Sequence, residues 1–136
     1  MNEILTETRS LVIDREIPYP PEKVWRALTE PQLIEEWLMK NDFKPMVGHH
    51  FDFHADWGSV DCEVLEVEPN KTLSYSWDSY GVETEVTWTL TSTAKGTHLR
   101  MEQSGFRADQ PQAIEGAKLG WPRFLAALEQ LVARID

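Results

Sequence analysis

The chain has 136 residues, a net charge of −10 from 23 acidic against 13 basic side chains, and a single cysteine, Cys62. That length fits one domain spanning 1–136 and buries about two-thirds of its unfolded surface, so a core forms without staples. Lys and Arg are not clustered and no apolar run approaches the ~20 residues of a membrane span, which argues against nucleic acid and membrane insertion.

One cysteine cannot close an internal disulfide, and the opening MNEILTETRS has neither the basic start nor the apolar stretch of a signal peptide. The expected location is cytoplasmic. Six Trp, five Phe and three Tyr are more aromatic surface than a core of this size requires.

TRSLVIDREIP (8–18) sets Leu11, Ile13 and Ile17 against Asp14 and Glu16, a strand with one buried face; Arg15 shares the apolar parity. Pro20 and Pro21 end it, and Pro21 suits a first helical turn. Val24, Trp25 and Leu28, then Leu33, Ile34, Trp37 and Leu38, predict two short helices with a bend at Thr29-Glu30-Pro31. From about 43 to 105 the period is two. Phe51/Phe53, Val60/Cys62/Val64, Leu73/Tyr75/Trp77, Val86/Trp88/Leu90 and Leu99/Met101/Gln103 predict five strands with turns at 67–73, Gly81 and 93–97. Ala117, Trp121, Phe124, Leu125, Leu128, Val132 and Ile135 predict a helix over 113–135, with a kink or a fresh start at Pro122. The fold class is α+β: a curved, six-stranded antiparallel sheet wrapped around the long C-terminal helix.

HHFDFHADW (49–57) raises a metal reading, because His50, Asp52 and His54 share the outer face at ~7 Å spacing. No other strand offers a matched set, so a solvated strand face is the plainer reading, and no metal is expected. His49 shares parity with Phe51 and Phe53, either as a core histidine or as a polar contact in a pocket.

DREIPYPPEKVWRALTEPQLIEEWL (14–38), VGHHFDF (47–53), DCEVLEVEPNKTLSYSW (61–77), VTWTLTSTAKGTHLRMEQSGF (86–106) and GWPRFLAALEQL (120–131) carry a resemblance. They resemble, in order, the activator of heat-shock protein 90 ATPase homologue-like family. That family sits in the START/Bet v 1-like (SRPBCC) helix-grip superfamily, also called polyketide cyclase/dehydrase and lipid transport. PPEKVW and GWP-x-x-L-x-x-L are the most specific motifs. The chain departs from the family at His49 and His50, where a second glycine is common. The resemblance implies a cavity between sheet and long helix that takes hydrophobic small molecules. The family name comes from a eukaryotic co-chaperone of greater length. No further domain is expected here, which argues against direct chaperone activation.

The first functional reading is therefore binding of an aromatic, polyketide-like or lipid-like molecule, without catalysis and without a cofactor. Its inner face supplies Phe51, Phe53, Tyr75, Trp77, Trp88 and Met101 from the sheet and Trp121, Phe124, Leu125 and Leu128 from the helix. Arg15, His49 and Gln103 are the polar residues of that parity, and Arg15 alternatively extends its stem to solvent. Two alternatives stand beside it. One is a chaperone cofactor or other protein partner. The other is a cyclase- or hydrolase-like enzyme in which Tyr75, His49 or Arg15 polarises a carbonyl. The segments 79–83 and 104–112 are candidate lids, and the assembly is a monomer or homodimer.

Overall fold

In a computed structural model, which describes residues 8–136, alternating apolar residues bring seven strands into one sheet. The elements run β1 Thr8–Ile17, α1 Pro21–Thr29, α2 Pro31–Trp37, β2 Lys40–Asn41, β3 His50–Ala55, β4 Gly58–Glu68, β5 Thr72–Ser79, β6 Val82–Thr93, β7 Gly96–Arg107 and α3 Pro111–Arg134. Residues 1–7, on which part of the N-terminal reading rests, lie outside the described residues.

All pairings are antiparallel, in the order β1-β7-β6-β5-β4-β3-β2. The sheet has one strand more than expected. The addition is β2, whose two residues pair with β3 as Lys40↔His54 and Asn41↔Phe53. Two residues carry no period for a sequence to show; the pairing arises only when α2 delivers the chain to the sheet edge.

Two bulges change which side chains face inward. Between β1 and β7, Arg9 opposes Phe106 while Ser10 opposes Ser104, so Gly105 is the extra residue. Gly105 has φ +97°, a left-handed conformation that glycine adopts freely. The inward parity of Met101 and Gln103 would otherwise continue to 105. The bulge moves it to Phe106, which is buried. On β4, Leu65 is the extra residue between Val64 and Glu66 and turns toward solvent.

Glu30 ends α1 and begins α2, so the bend at Thr29-Glu30-Pro31 lies where the prolines place it. The fresh start considered at Pro122 does not occur, since α3 is continuous from Pro111 to Arg134. A proline inside a helix costs about 3 kcal/mol. The following turns bury Leu125, Leu128, Leu131 and Val132 almost completely. Each such side chain contributes about 1.5–3 kcal/mol, which outweighs the lost donor.

Candidate functional site

The long helix is built in two halves. Residues 113, 116, 117 and 120 have the i, i+3, i+4, i+7 spacing of one face, and they are Ala, Gly, Ala and Gly. From Trp121 onward the buried positions are Trp121, Leu125, Leu128, Leu131 and Val132. The large half fills the sheet's concavity. The small half leaves a gap, and a pocket of about 510 Å³ occupies it.

Opposite the small residues stand Trp77 of β5 and Gln103 and Phe106 of β7, with Trp121 and Phe124 at the inner end. The rings of Trp77 and Trp121 lie 5.2 Å apart, and those of Trp121 and Phe124 5.7 Å. The mouth is rimmed by Trp57 and Tyr80, which are 54% and 77% exposed. Tyr80 sits with Gly81 in the two-residue β5–β6 turn, and both have positive φ, +51° and +79°. Its phenol donates to the Trp57 carbonyl at 2.5 Å and so ties this turn to the β3–β4 turn. Gly58 makes room for the phenol: a Cβ there would collide with the Tyr80 oxygen.

Gln103 is the one polar side chain of the lining that is buried, at 3% exposure. Its carbonyl accepts from Trp121 Nε1 at 2.7 Å, and its Nε2 donates to Thr84 Oγ1 at 2.9 Å. Thr84 donates in turn to the Trp77 carbonyl at 2.8 Å. Indole nitrogen only donates, so the amide can have its oxygen only toward Trp121.

Of the residues named from sequence, Trp77, Gln103, Trp121 and Phe124 meet at this pocket. Phe51, Phe53, Tyr75, Trp88, Met101, Leu125 and Leu128 lie in the packed core, away from its lining. There the rings interlock edge to face: Phe51 with Phe43 at 5.1 Å, and Trp88 with Trp37 and Trp121 at 5.7 Å each. Arg15 lies at the helix edge, 3.7 Å from Glu129 of α3, and donates to the Asp14 carbonyl. His49 stacks on Phe51 and pairs with the Asp42 carbonyl at 3.0 Å, outside the pocket. Tyr80 and Phe106 enter the sequence reading only within the candidate lid segments 79–83 and 104–112, through their turn-like composition, and both segments contribute to the lining. Met39, Trp57 and the small helix face are not named as site residues from sequence. The Ala/Gly spacing is the available signal for the helix face, and nothing local marks Met39 or Trp57.

The family model described as Activator of Hsp90 ATPase homolog 1-like protein matches residues 18–133. The chain belongs to that family. No curated protein matches it. A crystal structure of protein MLL2253 from Mesorhizobium loti is 62% identical, with a TM-score of 0.91 over 94% of this chain and 99% of that one. DynU16, from the dynemicin biosynthetic locus, is 26% identical, with a TM-score of 0.84; 92% of this chain matches 47% of that longer one. The Aha1 dimer from Colwellia psychrerythraea is 22% identical with a TM-score of 0.82, covering 91% and 96% of the two chains, a likeness of fold alone. These relatives share the α+β helix-grip fold, with an open antiparallel sheet and a long C-terminal helix.

The outer face of the sheet carries a row of carboxylates. Asp52, Asp61, Asp78 and Glu83 are successive cross-strand partners on β3, β4, β5 and β6. Burial, then the adjacent Asp61, holds the Asp52 carboxyl above the usual carboxylate range; burial, then Glu83, does the same to Asp78. Among the described residues no group of three or more His, Cys, Asp or Glu is placed to hold a metal ion. His50 faces Glu63 at 3.7 Å and His54 is exposed. Like charges directly opposite one another destabilise a sheet.

A carboxyl with a raised folded pKa favours the fold when protonated. That stabilisation is present at low pH and is lost as pH rises from the unfolded value of about 4 through the folded one. Asp61→Asn is therefore expected to raise Tm at pH 7 by about 2 °C and to have less effect at pH 4, read by thermal unfolding at both pH values. An equal effect at the two pH values would contradict charge repulsion as the cause. On the inner face, burial pushes the Cys62 thiol and the Tyr75 phenol up, so both are neutral at physiological pH.

Among the described residues no helix is long and apolar enough to cross a membrane.

Proposed function

We propose that this chain binds a flat, neutral, hydrophobic small molecule in the pocket between the small half of α3 and the sheet, and acts as a binding protein rather than an enzyme. The observation that carries this reading is the pocket itself. Its volume of about 510 Å³ falls in the range of roughly 300–1,000 Å³ that suits such ligands. Among its walls, the half-buried Trp77 and Phe124 offer rigid rings for stacking, backed by the buried Trp121. No carboxylate, imidazole, amine or thiol is among its lining residues, so an ionised ligand would be desolvated there without a partner. Placement of DynU16 in a biosynthetic locus is in keeping with a small-molecule ligand for this fold. The chain would do this work in the cytoplasm, as a monomer or homodimer.

Trp77 and Trp121 make the pocket its own reporter. Titration with neutral polycyclic aromatics and, for contrast, fatty acids is expected to change tryptophan emission saturably for the aromatics. At a hundredfold excess over Kd, the same class stabilises the fold by about 2.7 kcal/mol, a rise of several degrees in Tm. No emission change and no Tm shift for any compound would overturn the reading and favour a protein partner, including a chaperone.

A further inference from the structure

The Gln103 amide is fixed in orientation yet incompletely used. Trp121 Nε1 holds its oxygen, and Thr84 Oγ1 takes one of its two N–H groups. Thr84 is itself fixed as an acceptor toward Gln103, because its own proton goes to the Trp77 carbonyl. The second Nε2–H finds no acceptor among the described residues. A buried amide donor left without a partner in an apolar pocket is unfavourable, and an acceptor arriving with a ligand relieves it.

The other polar groups at the pocket are committed or solvated. Ser79 Oγ donates to the Ser59 carbonyl and the Tyr80 phenol to the Trp57 carbonyl, while Gln112 and Trp57 are exposed and Trp77, whose indole N–H is a second donor at the pocket, is half-buried. Gln103 is thus the buried side chain of the lining with an N–H to spare, beside the contacting rings of Trp77 and Trp121.

We infer that Gln103 is the specificity-determining residue of the pocket and that it selects neutral aromatic ligands bearing a carbonyl or similar acceptor on the ring system. This rests on the binding reading above and narrows its ligand class. A carbonyl in the plane of the ring suits the site, since stacking on the half-buried Trp77 orients the ring while the acceptor meets Nε2–H. A carboxylate does not suit it. One N–H does not compensate the burial of a full charge, and the lining supplies no cation.

The test compares two probes of one shape, 2-acetylnaphthalene and 2-isopropenylnaphthalene, in which C=CH2 replaces C=O. Affinities for the intact chain are measured by tryptophan fluorescence and checked by calorimetry. The ketone is expected to bind about three- to tenfold more tightly than the hydrocarbon, the effect of one neutral hydrogen bond. In Gln103→Met the ratio of the two affinities should fall to about one, whatever the variant does to both together. 2-Naphthoate should bind at least about 100-fold more weakly than the ketone.

Equal binding of the two probes by the unaltered chain would overturn the role of Gln103 and leave the pocket reading standing. Persistence of the preference in Gln103→Met would also overturn it, by placing the donor elsewhere. Binding of neither probe would overturn the role of Gln103 as the selector of aromatic carbonyl ligands, and the pocket reading falls with it where the rest of the aromatic panel is silent as well. The probe pair is compared in the unaltered chain, so the role of Gln103 stays open to refutation even where Gln103→Met fails to fold.

Discussion

Trp88→Ala is expected to lower the unfolding free energy by about 3–5 kcal/mol. Trp88 is fully buried at the centre of the sheet. Its ring meets Trp37 of α2 and Trp121 of α3 edge to face, each at 5.7 Å, so it joins the sheet to two helices at once. Its Nε1 donates to the Tyr75 phenol at 3.0 Å, and removal leaves that buried oxygen without its donor. The cavity, the lost edge contacts and the orphaned hydroxyl act in one direction. Domains of this size have about 5–15 kcal/mol in all, so the variant falls near the limit of folding. Chemical denaturation with an unchanged slope and a lowered midpoint is the expected result. A loss below about 1 kcal/mol, the typical effect of an ordinary substitution, would mean that the helices dock on the sheet independently of this residue.

Gly116→Phe is expected to abolish ligand binding, by about 100-fold or more, without loss of stability. A Cβ at Gly116 meets nothing within 4 Å, so the new side chain enters open space on the pocket-lining face of α3. Phe is also the better helix former, by a few tenths of a kcal/mol. Loss of binding therefore cannot be ascribed to unfolding, and Tm should stay level or rise. Gly116→Ala is the companion: a rise in stability approaching about 1 kcal/mol, with binding retained. Unimpaired binding by Gly116→Phe would relocate the ligand to another face of the protein.

The two predictions draw on different information. Trp88 is legible from sequence, because Val86, Trp88 and Leu90 alternate with threonines and assign it to the buried face. Gly116 is not. In sequence it reads as a mild interruption of a helix. Its meaning appears only when the sheet stands opposite and the absence of a side chain becomes a volume. The same holds for Gln103. Parity places it inward, but its hydrogen bonds to Trp121, 18 positions later, and Thr84, 19 positions earlier, exist only in the folded chain.

Parity also has a limited reach. It names every inward residue of a strand and says nothing of whether a given ring meets another ring or a gap. Phe51 and Trp77 share a face by parity; one is locked against Phe43, Phe53 and Tyr75, and the other borders the pocket. It fails outright at a bulge. The Gly105 insertion carries Phe106 inward against the count, and only the register of β1 on β7 reveals the slip.

Local sequence settles the succession of the longer elements and, away from the bulges, their buried faces. Proline placement, two-residue alternation and helical spacing are properties of short stretches, and the resemblance of PPEKVW and GWPRFLAAL to one family sets them in a helix-grip order. Where space remains is settled only by the folded arrangement. That arrangement pairs the two residues of β2 with β3, carries Trp57 and Tyr80 from separate turns to one mouth, and sets four small helix residues over an aromatic wall. A pocket is a difference between the volume that backbone elements enclose and the volume that side chains fill. That difference belongs to no residue singly, and no local pattern encodes it.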